Sequence, residues 1–112
     1  MAFVKIPNGE VAVKVQVIDT GARIRGPCAA FMEPSIPGHE ELSTLAYIFL
    51  VEHEKLQRRL LFDLGIRANI DEYSPALKAV LRHFHVQPGE EASTFLQSRG
   101  VDLDTIEAII WR

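Results

Sequence analysis

The sequence predicts an α/β fold, and three observations carry that prediction. Val11, Val13, Val15 and Val17 alternate with Ala12, Lys14, Gln16 and Ile18, a period of two that sets one face of a strand against a core. Two apolar runs, residues 44–51 and Leu60-Leu61-Phe62, flank the polar stretch 52–57, the pattern of two strands joined by a hairpin. Behind Ser74-Pro75, the residues Leu77, Val80, Leu81 and Phe84 recur at helical spacing.

Taken in chain order, the first strand is expected to end at Asp19-Thr20-Gly21, a turn-forming triplet. Residues 22–43 hold Gly26, Pro27, Pro34, Pro37 and Gly38 with little periodicity, and read as a long surface loop beside the site. Asp63-Leu64-Gly65 closes the third strand, its glycine permitting a sharp backbone turn. Ser74 caps the first helix, with Pro75 at its first position, where no intrahelical N–H bond is lost. That helix is expected to run on through His83 and His85. Pro88-Gly89 breaks the chain before a shorter helix bearing Ala92, Phe95 and Leu96 on one side, with Gly100 just past its end. Residues 101–105 turn the chain, and Ile106, Ala108, Ile109, Ile110 and Trp111 read as a buried strand.

Composition narrows the function classes. A chain of 112 residues with 47% apolar content is sized for one domain with a core. Its net charge is −3 and its basic residues are dispersed, so neither nucleic acid nor an anionic membrane is an expected partner. A single cysteine, Cys28, leaves no internal disulfide and no metal-binding cysteine pair; it reads as a small buried side chain in a reducing compartment. The first residues carry Lys5, Pro7, Asn8, Gly9 and Glu10 where a signal peptide would be apolar, and no stretch approaches the roughly 18 apolar residues of a membrane span. The expectation is a soluble cytoplasmic protein without repeats or low-complexity tracts.

Four segments carry a more specific signal: Val17-Ile18-Asp19-Thr20-Gly21, Ala29-Ala30-Phe31-Met32-Glu33-Pro34, Leu60-Leu61-Phe62-Asp63-Leu64-Gly65, and Gly100-Val101-Asp102-Leu103-Asp104 running into Ile106-Glu107-Ala108-Ile109-Ile110-Trp111. In this order and at these intervals the chain resembles, from Val11 to Trp111, fungal lactonase-like members of the metallo-β-lactamase superfamily. The resemblance implies an αββα sandwich of two similar halves, with residues 1–112 as a single incomplete domain: the N-terminal half, a mixed sheet with two helices. It further implies a two-zinc site that activates water to attack an ester, lactone, amide or thioester carbonyl.

In that family a strand like Ile109-Ile110-Trp111 leads directly into the H-x-H-x-D-H run, whereas Arg112 is the last residue here. The family's zinc ligands are therefore expected beyond this sequence, and no metal ligand is assigned within it. Asp63 matches the aspartate of the first family motif, whose implied role is to organise the loops around the metals without binding them as a principal ligand. A plain turn aspartate receiving amides beside Gly65 is the alternative for this residue.

Other chemistry fares less well. His53-Glu54 with Gln57, and His39-Glu40 with Ser43, approximate H-E-x-x-H but lack the second imidazole, and both lie in expected loops. His83 and His85, two apart on the expected helix, would diverge by about 200° and share no ion. Val17-Ile18-Asp19-Thr20-Gly21-Ala22 has the form of an aspartic-protease signature, and a homodimeric protease using Asp19 is the rival enzyme reading. Such proteases are almost all strand, which the two helices oppose. Neither a phosphate-cradling glycine loop nor a G-x-S-x-G elbow occurs.

The expectation is thus a truncated relative of a zinc-dependent lactone or ester hydrolase, inactive by itself, or alternatively a module that binds other chains through its exposed half-sheet. A half-sandwich leaves an apolar sheet face without cover, so self-association or a complementing chain is expected, with a small-molecule substrate only in the completed fold.

Overall fold

The computed structural model describes residues 3–111. Among these, five strands and two helices follow one another as β1 (Lys14–Pro27), β2 (Glu41–His53), β3 (Arg58–Phe62), α1 (Pro75–Leu81), β4 (His85–Gln87), α2 (Ala92–Ser98) and β5 (Ile106–Ile110). They form one sheet in the order β4-β1-β2-β3-β5. Neighbours are antiparallel except β3 and β5, which are parallel. A parallel pair needs a long crossover, and residues 63–105 supply it, carrying both helices and β4 on the way. The architecture is α/β with a mixed sheet and two helices, as half of a metallo-β-lactamase-type sandwich would have.

The first strand differs from its expected form at both ends. Val11 and Val13 precede it, and Asp19-Thr20-Gly21 does not end it. Between the pairs Asp19↔Tyr47 and Arg23↔Leu45, β1 has two residues more than β2, and the excess is absorbed in a bulge. Asp19 Oδ1 accepts the Gly21 N–H at 2.9 Å, and Gly21 has φ +87°, so the triplet makes a local turn without releasing the strand. Pairing then resumes to Pro27↔Glu41 because β2 continues alongside. The expected loop over 22–43 consequently shrinks to residues 28–40, closed at its neck where Cys28 N–H donates to the Glu40 carbonyl at 2.7 Å. Cys28 is buried there.

The hairpin of β2 and β3 forms as expected, although β2 reaches His53 and so takes that histidine out of the loop. In the turn His53 Nδ1 accepts the Leu56 N–H, and Gln57 N–H donates to the Glu54 carbonyl.

Both helices start where expected. Ser74 Oγ accepts the Leu77 N–H at 3.3 Å, the side-chain cap that satisfies one orphan donor, and Pro75 follows. Helix α1 nevertheless stops at Leu81. His83 and Phe84 donate to Val80 and Leu81, three residues back, which tightens the chain into a turn. Phe84 then packs against Phe31 at 5.4 Å, and His85 enters β4, paired with Arg25. The helical placement of His83 and His85 is corrected accordingly. This short strand lacks a sequence signature because three residues are too few to display a period.

The core lies on one side of the sheet. Ile18, Ile48, Leu50 and Leu61 point to it, and α2 covers them with Ala92 and Leu96 while Phe95, Val101, Leu103 and Ile106 pack around the margin. Strand alternation sends the neighbouring residues to the opposite side. There the registers align two apolar rows across four strands, Val17-Phe49-Phe62-Ile110 and Val15-Val51-Leu60-Ala108. No helix covers these rows among the described residues, and Val17 is 60% exposed. The valines that signalled the first strand therefore line the open face, while Ile18 faces the core. The expected burial of the last strand fails beyond Ile106: β5 is a sheet edge, Ile110 belongs to the open row, and Ile109 and Ile110 are 54% and 48% exposed.

The molecule is a slab, 47 × 45 × 22 Å, with a radius of gyration of 17.8 Å where a compact chain of this length has about 13 Å. Part of the excess is the extended arm of residues 3–13, whose Phe3, Val4 and Ile6 are almost fully exposed. No helix among the described residues is long and apolar enough to cross a membrane.

Candidate functional site

The carboxyl ends of β3 and β5 lie side by side, the position at which parallel strands of α/β sheets present ligand-binding loops. Asp63 stands at this edge. Its N–H donates to the Ile110 carbonyl at 2.8 Å, tying the end of one strand to the end of the other. Its φ of 67° is unusual for a residue with a side chain, and the side chain stabilises the turn: Oδ1 accepts the N–H groups of Leu64 at 2.6 Å and Gly65 at 3.0 Å. Behind the turn lies Thr20, buried in the β1 bulge, whose Oγ1 has no hydrogen-bond partner.

The chain beyond Asp63 folds back on itself through polar contacts. Arg67 N–H donates to the Tyr73 hydroxyl at 2.9 Å, the Arg67 guanidinium pairs with Glu72 at 2.9 Å, and it lies 5.9 Å from the Tyr73 ring. Asn69 Oδ1 accepts the Asp71 N–H, capping a single 3-10 turn. Ala68 N–H donates to Glu91 Oε1 at 3.0 Å, anchoring this loop to the residue before α2. Between loop, helices and strand ends remains a cavity of about 740 Å³, bounded by Leu64, Arg67, Tyr73, Leu77, Glu91 and Trp111. The sequence reading singled out none of these for a site, because they converge only through the crossover.

The histidines do not converge on Asp63. His39 lies in the loop before β2 and His53 at the end of that strand, while His83 and His85 border a crevice with Arg25 and Glu41 at the β4 edge, the opposite end of the sheet from β5. Among the described residues there is no group of three or more His, Cys, Asp or Glu side chains that could hold a metal ion. Arg112, after which the family's ligand run is expected, lies outside the described residues.

Asp19 is occupied otherwise than a protease aspartate would be. Both its oxygens accept from the Arg23 guanidinium, at 2.9 and 3.0 Å. Arg23, and then the Gly21 N–H, hold its carboxyl below the usual aspartate range. Such an arrangement keeps the charge on Asp19, whereas a protease dyad shares a proton between two carboxylates.

The chain is similar along nearly its whole length to fungal proteins. It is 30% identical over 115 aligned positions to gamma-lactamase FDB1 of Fusarium pseudograminearum (strain CS3096), covering 96% of this chain and 28% of that protein. It is 32% identical over 111 positions to metallo-hydrolase mfmC of Annulohypoxylon moriforme, covering 95% and 29%. A third relative, cytochrome P450 monooxygenase mpaDE of Penicillium roqueforti (strain FM164), is 32% identical over 111 positions, but the match occupies 13% of it. The chain therefore spans less than a third of the length of each of these relatives. No family model and no solved structure matches it.

Proposed function

From its homology to fungal metallo-hydrolases, we propose that this chain forms the N-terminal, ligand-free part of a zinc-dependent hydrolase of the lactone, ester or amide class, and that these 112 residues by themselves turn over no substrate. The observation that carries the reading is the similarity of 95–96% of the chain to gamma-lactamase FDB1 and metallo-hydrolase mfmC, and it is in keeping with this that Asp63 stands at the carboxyl edge of the parallel pair, bonded to Ile110. The bonds of its carboxylate stay within its own turn, as a plain turn aspartate's would, and the role of organising loops about a metal site is the one that the homology suggests for it. Orientation of this kind governs metal sites through the bonds behind the ligands. The dispersed histidines leave the reactive chemistry to sequence outside the chain. A reducing compartment, the cytoplasm, suits the lone Cys28.

The open rows Val17-Phe49-Phe62-Ile110 and Val15-Val51-Leu60-Ala108 support a second reading, in which the face binds another protein chain. Under the first reading the same face receives the completing half-sheet.

The test is zinc analysis and lactone hydrolysis by the purified chain, alone and mixed with the part of metallo-hydrolase mfmC outside the matched stretch. The expected result is neither stoichiometric zinc nor turnover alone, with turnover on mixing that Asp63→Ala diminishes. Tight zinc and turnover by the chain alone would overturn the reading and assign ligands among His39, His53, His83 and His85.

A further inference from the structure

Strand β1 has a bare edge and, just before it, an unpaired arm. On the side away from β2 it is paired only over Arg23–Arg25, by β4, and the Glu90 N–H reaches the Thr20 carbonyl from that same side. From Lys14 to Asp19 no strand lies there among the described residues. Ile18 and Thr20 are both buried, so the strand alternates regularly as far as Thr20, and the backbone groups of Lys14, Gln16 and Ile18 point outward as the Thr20 carbonyl does. Outward-pointing groups of this kind form a template for another strand.

Charge selects what covers the edge. In an antiparallel pair about a two-fold axis, each residue of one copy faces the residue equally far beyond the axis in the other. An axis at Ala12 sets Lys14 opposite Glu10 and Asp19 opposite Lys5, two pairs of opposite charge from a single register. Lys5, Glu10 and Lys14 make no ion pair among the described residues, whereas Asp19 already holds Arg23, so Lys14 with Glu10 is the stronger of the two. The same register brings the exposed Ile6 beside Ile18, at the margin of the core. It sets Pro7 opposite Val17, whose backbone groups turn toward β2, so the missing proline N–H costs no ladder bond. Moving the axis by one residue either way loses both charge pairs, because Lys14 then faces Asn8 or Ala12. One chain cannot satisfy this register alone, since Ala12 would have to face itself.

We propose that the partner of this edge is a second copy of the chain: two molecules exchange arms, residues 5–11 of each pairing antiparallel with residues 13–19 of the other about an axis at Ala12, and the two sheets become one. The bend at Glu10 and Val11 straightens as the ladder forms. The pairing engages the β1 edge, and neither the open face of the sheet nor the Asp63 edge takes part, so it does not rest on the hydrolase reading.

The test uses a Phe62→Lys background, which charges the open face and leaves β1 unaltered. In sedimentation velocity over a concentration series this chain is expected to remain a reversible dimer. Adding Glu10→Lys or Lys14→Glu sets like charges opposite one another at two places in the ladder, and is expected to weaken the dimer about tenfold. An equimolar mixture of those two variants is expected to recover the parent affinity, because each offers the charge that the other now needs. Ala12→Cys should give a disulfide-linked dimer on mild oxidation, since facing residues of an antiparallel pair lie within disulfide reach, while Gln16→Cys, which faces Asn8, should not. The chain with its buried Cys28 alone is the blank. A Phe62→Lys chain that is monomeric up to millimolar concentration, a mixture that associates no more tightly than its components, or cross-linking through position 16 as ready as through position 12 would each overturn the proposal. Zinc content and turnover on mixing with the rest of a relative test the hydrolase reading separately, so either can fail without the other.

Discussion

Phe49 and Phe62 face one another across β2 and β3, ring centroids 6.1 Å apart and planes at 69°, on the side of the sheet that α2 does not cover. This edge-to-face pair is the middle of a row that Val17 and Ile110 extend to either side. An apolar surface so continuous is costly in water and is stabilised by a second sheet. We expect the isolated chain to self-associate through it, and Val17→Lys with Phe62→Lys to shift it toward monomer in sedimentation-velocity runs over a concentration series. A wild-type chain that stays monomeric at millimolar concentration would refute this.

Gly89 lies against the β1 bulge, where a Cβ would collide with the Thr20 carbonyl and the Ala22 amide, both backbone atoms that cannot swing away. The adjacent Glu90 N–H donates to that same Thr20 carbonyl at 2.8 Å. Gly89→Ala should therefore force the segment off the strand and destabilise the chain by about 2 kcal/mol or more in urea unfolding at fixed protein concentration. An unchanged midpoint would mean that the 88–90 segment is not seated there.

Thr20 buries a hydroxyl without a partner. Valine has nearly its shape and no hydroxyl to leave unsatisfied, so Thr20→Val is expected to raise stability by about 1 kcal/mol. A loss of stability would show that the hydroxyl is bonded in solution.

Asp19 titrates below the ordinary aspartate range because Arg23 and the Gly21 amide favour its charged form. With the folded-state value depressed, its contribution to stability is complete above the unfolded-state range and is lost as pH falls through the folded-state value. Both side chains are about 40% exposed, which keeps that contribution small. Carboxyl resonances followed by NMR should give Asp19 a depressed midpoint that returns toward the usual range in Arg23→Ala. A midpoint unaffected by that substitution would place the cause elsewhere.

Local signals fixed the parts of this protein that local physics decides. Ser74-Pro75 announced α1 because a side-chain acceptor followed by proline solves the donor problem of any helix start, and the 52–57 break announced the hairpin because a polar interruption between apolar runs has few other solutions. Asp63-Leu64-Gly65 was legible as a turn for the same reason, its amides being satisfied within three residues. The valines of the first strand were legible as strand but not as to side, since Val17 and Ile18 are equally apolar and only the docking of Ala92 and Leu96 decides which of them faces the core. Likewise Asp19-Thr20-Gly21 has the chemistry of a strand end, and only the presence of β2 beyond it turns an end into a bulge. The cavity was invisible for the deepest reason: Leu64, Glu91 and Trp111 lie 27 and 20 positions apart in succession, and the crossover between two parallel strands, a long-range pairing with no local signature, is what brings them to one edge.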